Sequence, residues 1–150
     1  MECGNNFTYR YSKKNLIMTK PIKLKTFFKD NRGEIIDIFQ GIKFEHATIV
    51  TFKKGAVRGN HFHKKSIQFS LIIDGEFLSR EVNINKNNNY NKNKIKWYKI
   101  SSNSLLKHQP FKAHAFKCLS KKGKMIAFTK GIRGGTNYEK DTFRLEKKII

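Results

Sequence analysis

Apolar and polar residues alternate in short runs along most of this chain. Ile22-Lys23-Leu24-Lys25-Thr26-Phe27 has the period of two expected of a strand with one covered face. Comparable runs follow at 34–39, 47–52, 67–73, 76–84, 95–100, 113–119, 125–129 and 142–145. Thr48, Ile49, Val50 and Thr51 are residues that suit a pleated surface. Turn signals separate the runs: Asp30-Asn31-Arg32-Gly33, Lys53-Lys54-Gly55, Asp74-Gly75 and Lys121-Lys122-Gly123. Asp74-Gly75 predicts a tight hairpin between its two flanking strands. No window of a dozen residues holds a helical stripe, so the pattern predicts an all-β sandwich or barrel. The Asn/Lys tract at 83–94 is expected to be the solvated loop of a long hairpin. Residues 1–17 are polar and aperiodic, and Met18 opens a segment like a fresh start. Two parts are expected, a polar N-terminal arm over 1–20 and a single domain over 21–150.

Composition narrows this little. A chain of 150 residues with 38% hydrophobic content supports one core. No run approaches 18 consecutive apolar residues, and the first six residues lack a secretory layout. No membrane association is expected. The two cysteines, Cys3 and Cys118, cannot make a disulfide framework, which suits a reducing, cytoplasmic setting. The formal net charge is +21, but the lysines are spread evenly and accompany asparagines, as adenine-rich codons produce without selection for polyanions. The chain shows no aromatic-and-basic motif of a nucleic-acid module, so nucleic acid is not an expected partner. A field this positive still raises the encounter rate with any anionic ligand.

The chemistry concentrates between Gly55 and Gly75. On a strand, His61 and His63 point to one face and Phe62 to the other. Val57 and Gly59 share the histidine parity, whereas Arg58 falls on the opposite one unless the strand bulges. Gln68, at the start of the next strand, is within reach of the same pocket. Pro110-Phe111-Lys112-Ala113-His114 brings a third histidine on a further strand. His46 and His108 are expected at the surface.

These residues resemble the cupin superfamily. Its first motif is glycine, five residues, His-x-His, three or four residues, an acid, six residues and glycine. Gly55, His61, His63, Gln68 and Gly75 match it throughout, with Gln for the acid. Pro110 and His114 resemble the second motif, shortened by one residue and without its glycine. Asp30-Asn31-Arg32-Gly33, Arg58-Gly59-Asn60-His61-Phe62-His63-Lys64 with Gln68, and Tyr138-Glu139-Lys140-Asp141 resemble segments of the dTDP-sugar 3,4-ketoisomerases of the WxcM-like family. The related 3,5-epimerases share Arg-Gly-x-His, and the cupin domain of capsular-polysaccharide reductases shares Gly-Asn-His-x-His.

The resemblance implies a double-stranded β-helix, the cupin jelly roll. It implies an enzyme that moves a keto group between adjacent carbons of a nucleotide-linked 6-deoxy-keto-sugar for surface polysaccharide synthesis. A homodimer acting on a dTDP-linked sugar is expected, with no cofactor. His61 and His63 would be the base and acid, since an imidazole titrates near neutrality. Arg32, Arg58, Lys64, Gln68, His114 and Tyr138 would bind substrate, the guanidinium of Arg58 meeting phosphates at the rim or across a subunit boundary. The competing expectations are a metal cupin using His61, His63, Gln68 and His114, an epimerase, and a non-catalytic sugar-binding cupin.

Overall fold

The computed structural model describes residues 18, 20–132, 135–137 and 139–150. The arm expected over 1–20 lies almost wholly outside them. Twelve strands occur among the described residues. The first six are β1 (Ile22–Lys23), β2 (Phe28–Asp30), β3 (Gly33–Ile35), β4 (His46–Lys53), β5 (Val57–Phe62) and β6 (Ile67–Asp74). The rest are β7 (Glu76–Asn83), β8 (Lys96–Ser101), β9 (Ser104–His108), β10 (Lys112–Cys118), β11 (Lys122–Lys130) and β12 (Phe143–Arg144). No described helix is long and apolar enough to cross a membrane.

Ten strands form two antiparallel sheets, ordered β1-β9-β6-β11-β4 and β12-β5-β10-β7-β8. The β2–β3 hairpin stands apart from both. The two sheets close on each other as a jelly roll, and the period of two sorts their residues into inward and outward rows except where a strand bulges. Inward rows from both sheets meet in one cluster of Phe52, Ile72, Phe77, Ile100, Leu106, Phe116, Cys118 and Met125. Each large side chain there contributes about 1.5–3 kcal/mol by leaving water. The same rows then turn polar along each strand: Phe77, Ser79, Glu81 on β7; Leu106, His108 on β9; Phe116, His114 on β10; Ile72, Ser70, Gln68 on β6. The interior is therefore apolar at one end and polar at the other.

Part of the outward rows is covered too. Phe69, Leu71 and Leu105 pack under Leu24, Ile36, Ile38, Phe39 and Phe44. Phe62, Val82, Ala113 and Ala115 pack under Leu145 and Ile149, with Tyr90 and Ile95 of the long loop against them.

Several expectations change. Strand β9 was not legible, because Leu105 serves the outward cluster and Leu106 the inward one, which erases alternation. Beyond Ile35 the expected run 34–39 is irregular and simply lays Ile36, Ile38 and Phe39 on the sheet. Asp74-Gly75 does not make a hairpin: β6 and β7 belong to different sheets. Gly75 (φ +91°) turns a corner so tight that a Cβ would sit 2.8 Å from the Lys122 carbonyl oxygen. The Asn/Lys tract does close a hairpin, between β7 and β8. It is not bare filler, since Tyr90 donates its hydroxyl to the Lys147 carbonyl at 3.0 Å.

Candidate functional site

A bulge in β5 places the first histidine. In the β5–β10 ladder His61 faces His114, while the next pair is Gly59 with Ala115, leaving Asn60 as the extra residue. Gly59 (φ +99°) and Asn60 (φ 55°) both lie in the left-handed region. Gly59 has no alternative, since a Cβ there would stand 2.5 Å from the His114 carbonyl oxygen. Asn60 turns outward, and its Oδ1 accepts the Ile149 amide at 2.8 Å. The bulge also corrects the parity expected for Arg58. It pairs with inward-facing Phe116, and its guanidinium lies 5.7 Å from the ring centroid of Phe52 in the interior cluster. Arg58 thus shares a face with His61, one inward position along; Val57 does not.

His61 and His63 point to one side, with ring centroids 5.0 Å apart, and Phe62 joins the outer cluster as expected. His114 sits 4.8 Å from His61 and 5.5 Å from His63. The structure adds a fourth ring. His108, expected at the surface, is fully buried and stacks on His114 at 4.0 Å with 18° between planes. It ends β9 two residues after Leu106, on the same inward row, and pairs in register with Gln68. Its parity with Leu106 was the available signal, hidden because β9 itself was not legible. His46 opens β4 half-buried on the row of Val50 and Phe52 and pairs with Thr129 rather than standing clear of the sheet.

Glu81 is the other residue that sequence reasoning missed. It is only 4% exposed, lies opposite His114 in the β7–β10 ladder, and accepts Lys112 Nζ at 3.2 Å. His108 Nδ1 is 4.0 Å from this carboxylate. Burial, then Glu81, raises the Tyr98 hydroxyl above its ordinary value. The available signal was Glu81's parity with Phe77 and Ser79, all three buried.

Neighbouring groups fix the proton positions. His63 Nδ1 lies 2.6 Å from the Asp141 carbonyl oxygen, which only accepts, so Nδ1 carries the proton and the lone pair is on Nε2. His114 Nδ1 faces the Lys112 carbonyl at 3.3 Å in the same way. Burial, then Lys112, pushes His108 well below the ordinary imidazole value; burial, then His108, does the same to His114. Asp141 braces the turn after His63, its carboxylate accepting the backbone N–H groups of Lys64 (2.9 Å), Lys65 (3.2 Å) and Ser66 (2.7 Å). Burial raises its carboxyl, but the hydrogen bonds from that turn outweigh burial and hold it below the usual range.

The other expected residues divide. Gln68 lies on the inward row, and its Nε2 donates to Ser70 Oγ at 3.0 Å. Lys64 instead sets its ammonium over the Phe143 ring at 4.2 Å. Arg32 is held by Asp30 in the β2–β3 turn, with its side chain 82% exposed. Tyr138 lies outside the described residues. As possible metal ligands, His61, His63 and His114 present nitrogens within 4.8 Å of one another. Backbone carbonyls behind His63 and His114 orient both rings, a pattern that suits imidazole ligation. A cleft of about 670 Å³ lies between the long loop and the end of β7, lined by Glu81 and Lys112 together with Val82, Ile84, Tyr90 and Ile95 of the outer cluster, and by none of the four histidines.

No protein-family model matches the chain, and no curated protein matches it in sequence. Solved structures do match. A sugar 3,4-ketoisomerase from Thermoanaerobacterium thermosaccharolyticum in complex with TDP aligns with a TM-score of 0.66 at 18% identity, over 85% of this chain and 88% of that one. A dTDP-4-dehydrorhamnose 3,5-epimerase from Bacillus anthracis with TDP and pyrophosphate bound gives 0.65 at 18% identity, over 77% and 74%. The corresponding 3,5-epimerase from Elizabethkingia anophelis gives 0.64 at 17% identity, over 81% and 72%. The likeness establishes the fold: an all-β jelly roll of the cupin type, as expected from the sequence.

Proposed function

We propose that the chain is an isomerase of a nucleotide-linked 6-deoxy-keto-sugar, transferring the keto group between C4 and C3. The observation that carries this is the set of imidazoles at the polar end of the interior, with His61 and His63 5.0 Å apart and His114 against both. Its match in fold to a ketoisomerase and to epimerases of dTDP-linked sugars supports the substrate class.

The reaction needs no redox partner. A base takes the proton from C3, the C4 carbonyl oxygen is protonated, and an enediol forms. Loss of the O3 proton and delivery of a proton to C4 complete the shift. His63 suits the base, since its Nδ1 proton is held by the Asp141 carbonyl and its lone pair lies on Nε2. His61 is the paired acid. His114 and Gln68 bind the sugar, and Arg58, exposed beside Phe52, meets phosphate across the subunit boundary of the homodimer. Lys64, Arg32 and Tyr138 keep their proposed binding roles, with the Lys64 and Arg32 side chains rotating away from Phe143 and Asp30 to do so. The chain acts as a homodimer in the cytoplasm, in surface polysaccharide synthesis.

The test is solvent deuterium exchange with dTDP-4-keto-6-deoxyglucose. Wild-type protein should exchange at C3 and yield the 3-keto product. His61→Asn and His63→Asn should each lower exchange by at least about 100-fold while dTDP binding survives. Full exchange in both variants would refute the assignment. Exchange at both C3 and C5 without keto transfer would mark a 3,5-epimerase, the nearest alternative.

A divalent metal is the second candidate occupant, favoured by the proximity of the three histidine nitrogens. His61, His63 and His114, with Gln68, would hold it, and it would supply Lewis-acid polarisation of the sugar carbonyl. Metal analysis of purified protein separates the two: near-stoichiometric metal, lost in His61→Ala, would favour the metal site.

A further inference from the structure

The Asn/Lys tract, read from sequence as solvated filler, is one wall of the 670 Å³ cleft whose lining includes Glu81 and Lys112. That volume lies within the range of about 300–1,000 Å³ usual for small-molecule sites. The polarity of the wall is set by how the loop folds. Asn85 Oδ1 accepts the backbone N–H groups of Asn87 and Asn89, both at 3.0 Å. Asn89 Oδ1 accepts Tyr90 N at 2.8 Å, and Asn91 Oδ1 accepts Asn93 N at 2.9 Å. With their oxygens turned onto the backbone, these amides have chiefly NH2 donors left to offer. Lys94 and Lys96, two cationic residues, line the same cleft. The carboxylate within reach, Glu81, is already paired with Lys112 at 3.2 Å. The Tyr90 hydroxyl, bonded to the Lys147 carbonyl, anchors the loop.

Val82, Ile84, Tyr90 and Ile95 give the cleft an apolar side as well, while the donors and cations, with the one carboxylate neutralised, select an anion with several acceptor oxygens. We propose that the 83–96 loop is a phosphate-binding wall, in which the amides of Asn85, Asn89 and Asn91 and the ammonium groups of Lys94 and Lys96 hold the diphosphate of a nucleotide-linked ligand. The nucleotide part of this inference rests on the isomerase reading; the anion part rests on the loop alone. Glu81 joins the two regions, lining the cleft and lying opposite His114.

Calorimetric titration with dTDP and with inorganic pyrophosphate tests it, on wild-type protein, Lys94→Gln/Lys96→Gln, and the control pair Lys53→Gln/Lys122→Gln. The control removes the same charge where β4 and β11 pair at the opposite end of the barrel. Unchanged thermal midpoints certify folding. The loop pair should weaken both anions by about tenfold or more, the control pair by less than about twofold. Equal weakening in both pairs, no weakening in the loop pair, or no anion binding by wild-type protein would each overturn the inference. Deuterium exchange on the same proteins keeps the two proposals apart. Loop-dependent dTDP binding with no exchange in the wild type ends the isomerase reading and leaves the phosphate wall standing. Exchange with an unchanged KM in the loop pair does the reverse.

Discussion

His108 and His114 are stacked, buried, and held neutral chiefly by their removal from water. Their depressed values fix how stability depends on pH. The native protein declines protons that the unfolded chain accepts below about pH 6.5. The histidine contribution is therefore complete above that value and is lost progressively as pH falls. The expected slope is roughly 1 kcal/mol per histidine per pH unit. Urea midpoints followed from pH 7.5 to 5 should decline from about pH 6.5, well before ordinary carboxylates titrate, and His108→Leu should about halve the slope. A wild-type profile flat to pH 5 would contradict the burial of these rings. His63 depends on a different arrangement, in which one residue, Asp141, holds the imidazole with its carbonyl and the following turn with its carboxylate.

At the scale of elements, the face that carries the histidines is set by one irregular strand. Gly59 and Asn60 spend one residue on a bulge, which returns Arg58 to the face of His61 and lets Asn60 clasp the backbone of Ile149 and Ile150 from behind. Gly59→Ala adds a methyl group 2.5 Å from the His114 carbonyl at a backbone angle that L-residues avoid. It should cost about 2–5 kcal/mol in urea unfolding, with exchange activity falling further than the loss of folded protein explains. A cost within about 0.5 kcal/mol would mean that β5 and β10 pair differently. Much of this was legible beforehand. The opposite facing of His61 and Phe62 follows from the period of two, and the barrel from the spacing of runs and turns. The bulge was not legible, because a Gly-Asn pair reads equally as a turn. Nor was the corner at Gly75, because Asp-Gly specifies a reversal locally and only the pairing of Lys124 with Asp74 decides which sheet continues. His108 and Glu81 were missed because the partners that bring each to the site, on β6 and β10, lie far away in sequence.

At the scale of the molecule, the charge of +21 gains a direction. Lysines spread along the chain attract anions to the whole surface, while the 83–96 loop gives that attraction a place to end. The remaining consequence comes from the apolar half of the interior. Phe52, Ile72, Phe77, Phe116 and Met125 stopper one end of the shell, so a ligand of the imidazoles would have to approach from the polar end. Whatever enters must leave by the door it came in, so spent ligand stands in the way of fresh ligand. Initial-rate measurements should show simple competition between product and substrate; a mixed pattern, with both aboard at once, would require a second entrance through that stopper.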